Sequence, residues 1–180
     1  MTRAATERPV VGEYVDGIDV PVVDERVMRA SAGILFVLGF AAYLTALLTG
    51  FLAPLRGFGM LFAVDLFVRV FIGSRFAPSL VLGKIAVRGQ RPEWVGASQK
   101  TFAWSLGLGM SLLACFAMGW LGWTVVALVL CGMCLALLFL ESAFGICVGC
   151  ALQRRFGRTP PQLCPGGTCR TEASATPPSS

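Results

Sequence analysis

Residues Ala30–Leu48 read ASAGILFVLGFAAYLTALL, a run without a single charged side chain. As a helix rising about 1.5 Å per residue it reaches roughly 28 Å, the thickness of a bilayer core. Thr49–Gly50 ends the run, and FLAPLRG at Phe51–Gly57 turns the chain with Pro54 and Arg56. The next apolar stretch, Phe58 to Gly73, is therefore expected to return through the membrane.

The rest of the chain repeats this pattern. Two further apolar runs follow, from Phe102 to Gly119 and from about Thr124 to Leu152. Trp104 stands near one end of the third run and Trp120 and Trp123 near the other, as tryptophan does at headgroup borders. The last run is long for one crossing, and is expected to tilt or to leave the membrane near Gly145. Four helices are expected, at about 30–48, 55–73, 102–119 and 123–152. Between the second and third, Pro78 and Ser79 begin a short amphipathic segment reaching Val87. Its Leu80, Val81, Ile85 and Ala86 would face lipid and its Lys84 and Arg88 water, so it is expected to lie at the interface. The fold class is an all-α membrane protein, a four-transmembrane-helix bundle with that interfacial helix attached.

Composition agrees with a lipid solvent. Of 180 residues 56% are hydrophobic and only 14% charged, with mean hydropathy +0.73. A soluble domain carries roughly a quarter charged residues. The net charge of +5 comes from basic residues that flank apolar runs, with no basic stripe interleaved with aromatics, so no nucleic-acid partner is expected. Arg26 and Arg29 precede the first helix, Arg75, Lys84, Arg88, Arg91 and Lys100 lie between the second and third, and Arg154, Arg155 and Arg158 follow the fourth. The opposite loops hold only Arg56. By the positive-inside rule both termini are cytoplasmic, in the cell membrane. Residues 1–25 form a polar arm, with a brief strand or extended stretch near IDVPVVDER. Residues 26–158 form the membrane domain. Residues 159–180, rich in Pro, Gly, Ser and Thr, read as a disordered tail. No cleavable signal peptide is seen.

The chain has no histidine. That excludes Ser-His-Asp and Cys-His catalysis and histidine ligation of metal or haem. Enzymatic activity is not expected, and nothing in the spacing requires a cofactor.

Charged residues inside apolar runs need a reason, because each costs several kcal/mol in lipid unless paired or turned inward. Asp65 and Arg69 are four apart and share a helix face, so they are expected to pair. Such a pair is either a packing lock or part of a polar path. Glu141 stands between LLFL and SAFG, and is expected to meet Arg69, making one charged cluster with Asp65.

Cys131, Cys134, Cys147 and Cys150 spell Cys-x2-Cys-x12-Cys-x2-Cys. A shared zinc site is rejected: continuous helix places the two pairs roughly 24 Å apart, and tetrahedral zinc needs every sulfur at about 2.3 Å. No metal site is expected. Cys131 and Cys134 read as packing, since buried cysteine behaves as a small apolar residue, and Cys115 as core. Cys147 and Cys150 fall at the cytoplasmic border beside three arginines, where a dithiol can react and where the reducing cytosol keeps it as thiols. Packing is the rival reading. With no histidine available, Glu141 is the best proton carrier near them. Cys164 and Cys169, in CPGGTC, read as incidental thiols of the tail.

VDERVMRASAG, DLFVRVFIGSRFAPS, QKTFAWSLG and ESAFGICVGC together resemble an uncharacterised bacterial membrane family, domain of unknown function 4395. The resemblance covers most of residues 19–152. It implies an integral membrane protein, with Arg29, Asp65, Arg69, Pro78, Lys100, Glu141, Cys147 and Cys150 as motif positions. Ser31 and Thr101 stand where the pattern has asparagine and a basic residue. Family members are associated with thioredoxin-like or sulfurtransferase proteins, so such a partner is expected beside the lipid bilayer. Three functions follow: a cytoplasm-facing dithiol protein using Cys147 and Cys150 with Glu141; an oligomeric transport or channel subunit using Asp65, Arg69 and Glu141; and a membrane scaffold for a soluble partner.

Overall fold

The structure is a computed structural model that describes residues 11–15, 21–148 and 152. It is mostly helical. A short strand, β1 (Val22–Asp24), runs directly into α1 (Glu25–Thr49). Helix α2 (Ala53–Phe67) continues as a π turn, Val68–Ile72, and a 3-10 turn follows at Ser74–Phe76. Then come α3 (Pro78–Ala86), β2 (Trp94–Gly96), α4 (Ala97–Gly119) and α5 (Thr124–Phe139), which also widens into a π turn at Leu140–Phe144.

Local chemistry accounts for the boundaries. The Asp24 side chain accepts from Arg26 N at 3.0 Å, satisfying a donor that the first turn of α1 leaves open. The helix therefore starts at Glu25, ahead of the uncharged run expected from residue 30. It stops at Gly50, whose φ of 71° is open to glycine and whose N–H returns to Ala46 O. Pro54 and Pro78 each stand in the first turn of their helices. Gly145, with φ 67°, closes the π turn of α5, so the fourth apolar run breaks there, and helix resumes only at Val148.

The strands β1 and β2 pair antiparallel, Val23 opposite Val95 and Asp24 opposite Trp94. Each leads straight into a long helix, so their pairing sets the first turns of α1 and α4 side by side. Asp24 reinforces this by accepting also from Glu93 N, at 3.2 Å. Helices α1, α2, α4 and α5 contact one another in that cyclic order, and α3 packs on α1. One end of this ring gathers the starts of α1 and α4 with both π turns; it is the charged end. A core of Val27, Leu35, Phe62, Leu66, Leu80 and Trp104 lies toward it. A smaller core of Ala46, Leu55, Ala117, Met118 and Ala127 fills the other, apolar end.

Leu80 corrects an expectation. It does not face lipid but is fully buried in the core, while Val81, Leu82 and Ile85 are exposed. Gly83 is the reason: a Cβ there would come within 2.7 Å of the Val27 carbonyl, so only glycine lets α3 approach α1 this closely. Burying Leu80 in this way contributes roughly 2 kcal/mol.

The outer surface is apolar. Val37, Leu48 and Val125 are 64, 81 and 74% exposed. Three helical segments are long and apolar enough to cross a membrane: Glu25–Thr49, Lys100–Gly119 and Thr124–Phe144. The proposed tail, residues 159–180, lies outside the described residues, as do Cys150, Cys164 and Cys169.

Candidate functional site: two buried charge clusters and a thiol

The first cluster is built by α2 and α3. Asp65 and Arg69 are one helical turn apart, and Arg69 Nε donates to Asp65 Oδ2 at 2.8 Å. Ser79 connects them. Its Oγ, 2.6 Å from both Asp65 oxygens, donates to the carboxylate and accepts from Arg69 Nη2 at 2.6 Å. Ser79 N donates to Asp65 Oδ1 at 3.0 Å. Asp65 thus caps the N-terminus of α3, which has no side-chain cap of its own, and its charge suits that helix end. Ser31 Oγ accepts weakly from Arg69 at 3.4 Å, and the guanidinium lies 5.3 Å from the Trp104 ring centre. Asp65, Arg69, Ser79 and Ser31 are all buried.

The second cluster is built where the β1–β2 pair delivers α1 and α4. Lys100 Nζ lies 2.9 Å from Glu25 Oε2 and 2.9 Å from Glu141 Oε1. Lysine in the first turn of α4 opposes the helix dipole, and the two carboxylates offset this. Glu25 suits the first turn of α1 for the same reason. The Glu25 contact is an ion pair with poor hydrogen-bond alignment, and Glu25 Oε1 has no donor among the described residues.

Glu141 therefore does not meet Arg69 as expected. Arg69 is already held by Asp65 and Ser79, and Glu141 turns to Lys100 instead. Both Arg69 and Glu141 stand in π turns, which rotate side chains away from the ordinary helical register. Arg29 ties the second site down from α1. Its guanidinium donates to the carbonyls of Ser142 and Ala143 at 3.2 to 3.4 Å, a cation placed on the open carbonyls at the end of α5.

Residue reasoning missed Glu25 and the hydroxyls of Ser31 and Ser79 as cluster members. A usable signal existed for Glu25: it is an acid at the first position of an apolar helix, and so needs an inward partner.

The Cys147 thiol is half-buried, two residues beyond the break at Gly145. It lines a cavity of about 70 Å³ together with Arg69, Trp104, Glu141 and Cys134. Cys134 also lines a larger cavity of about 350 Å³ toward the apolar end, with Cys131, Cys115, Phe58 and Leu55. Among the described residues no group of three or more Cys, Asp or Glu is placed to hold a metal ion.

The family model described as domain of unknown function (DUF4395) matches residues 23–158. The chain belongs to this family. The match contains both charge clusters and extends past Cys147. Neither the search of curated proteins nor that of solved structures returned a match.

Proposed function

We propose that this family member is an integral protein of the cell membrane that crosses the bilayer four times and presents Cys147 and Cys150 as a dithiol at its cytoplasmic face. The charged end of the ring is the cytoplasmic one. Exposed Arg75, Lys84, Arg88 and Arg91 all belong to it, and among the described residues only Arg56, in the first turn of α2, stands at the opposite end. Exposed Trp120 and Trp123 suit the outer headgroup border.

The fourth crossing is α2 with its π turn. Its 15 and 5 residues reach roughly 30 Å. It carries three charged residues, Arg56, Asp65 and Arg69, but Asp65 and Arg69 are buried and mutually paired, which removes most of their cost in lipid. Helix α3 lies along the inner surface, with Val81, Leu82 and Ile85 outward beside exposed Lys84.

The observation that carries the dithiol reading is the cavity wall shared by Cys147, Glu141 and Arg69. A thiol beside a carboxylate and a guanidinium has a proton acceptor and a positive field at hand. The partner is a thioredoxin-like or sulfurtransferase protein. With a thioredoxin-like disulfide, the Cys147 thiolate attacks one partner sulfur and releases the other as thiolate. Cys150 then displaces the mixed disulfide, so two electrons leave the pair and the partner's disulfide becomes a dithiol.

A transport path has less support. The cavity beyond Cys134 is mostly apolar, walled by Leu55, Phe58, Phe62 and Leu135, with Arg56 and Ser111 as its polar lining residues. Alkylation with a membrane-impermeant reagent tests the proposal. Cys147 and Cys150 are expected to react in inside-out vesicles and not in intact cells, and Cys150→Ser to trap a partner as a mixed disulfide. Labelling of Cys147 from outside intact cells overturns it.

A further inference from the structure

The two clusters differ in charge balance, and the second does not close. Glu25 and Glu141 bring two carboxylates to one ammonium, with the side chains of Glu25 and Lys100 only 3 and 4% exposed and that of Glu141 19%. Among the described residues, the other cations near Glu25 are committed. Arg29, one turn on, donates to the Ser142 and Ala143 carbonyls. Arg26 points outward to Gln90 Oε1. Arg69 is held by Asp65 and Ser79. Glu93, on the approach to β2, is another acid, and its charge opposes that of Glu25. Glu25 Oε1, buried with its residue, faces no donor among the described residues. A bare carboxylate oxygen in such a place is far costlier than a neutral hydroxyl.

We propose that Glu25, Lys100 and Glu141 form a proton-binding site that holds one proton on the carboxyl pair at neutral pH, so that the folded cluster is neutral. The proton resides on Glu25, the more deeply buried acid, and Glu141 keeps its 2.9 Å contact with Lys100. This site stands independently of any reaction at Cys147, because it needs only the three side chains and their burial.

The test uses the purified full chain in lipid nanodiscs at neutral pH. Infrared spectra are expected to contain the carbonyl stretch of a protonated carboxylic acid, shifted in deuterated water and lost in Glu25→Gln. The amide copies the neutral acid in shape, so Glu25→Gln is expected to fold and to melt within a few degrees of wild type at neutral pH. A group that keeps its proton better when folded stabilises the fold below the unfolded-state pKa and loses that effect as pH rises through its folded value. Wild-type Tm is therefore expected to fall on alkaline titration, and Glu25→Gln to flatten that fall. A native protein without the band, a band that survives in Glu25→Gln, or failure of Glu25→Gln to fold each overturns the proposal. So does a Tm that follows sodium concentration at fixed pH, which assigns the site to a metal cation.

Discussion

The Asp65–Arg69 and Glu25–Lys100–Glu141 clusters lie at the same end of one helix ring, yet they are built on opposite principles. The first has one acid and one base, and Ser79 closes the bonds between them. The second has, among the described residues, two acids, one base and an oxygen without a donor. A network with every bond made locks a geometry, whereas one with a surplus acid keeps a place for a proton. The difference separates two jobs that look alike in composition: holding α2 against α3, and storing charge where α1, α4 and α5 converge.

Removing the shared base is expected to break the second cluster most severely. Lys100→Met leaves the acid pair without its ammonium and is expected to cost about 3–5 kcal/mol, measured as a loss of folded protein in detergent-driven unfolding. Asp65→Asn comes next. It strands the Arg69 charge and weakens the cap of α3, with an expected loss of about 3 kcal/mol in the same assay. Because the first cluster is balanced, Asp65→Asn and Glu25→Gln sharpen the contrast: the same acid-to-amide change is expected to be damaging in one and nearly silent in the other. Ser79→Ala is expected to cost about 1–3 kcal/mol, as two buried bonding partners lose their bridge. Arg29→Gln has the smallest effect, about 1 kcal/mol, through the uncovered carbonyls of Ser142 and Ala143. Its signature is faster proteolysis after Phe144, a readout that the other substitutions leave unchanged.

The part of this design that was legible from residues is the part made by neighbours in the chain. The uncharged run Ala30–Leu48 announces a helix by length alone, and Asp65 and Arg69 announce their contact by a spacing of four. The break near Gly145 was legible as an overlong run with a glycine in it. What could not be read depends on contacts distant in sequence. Glu25 and Lys100 meet because β1 pairs with β2, and a three-residue strand such as Trp94–Gly96 leaves little pattern among polar loop residues. The pairing of Glu141 with Lys100 rather than Arg69 was hidden for the same reason: Arg69 had been claimed by Ser79, whose role follows from where α3 docks. That docking turns on Gly83, a close approach that no periodicity reveals.

The strand pair that runs directly into α1 and α4 also has a consequence for biogenesis. Glu25 is synthesised with the first helix, long before Trp94–Gly96 and Lys100 leave the ribosome, and Glu141 arrives later still. Until then the leading acid has no counterion and must wait near water. Closing of the two strands is thus the event that draws it inward, and a nascent chain halted before β2 has no means of burying it.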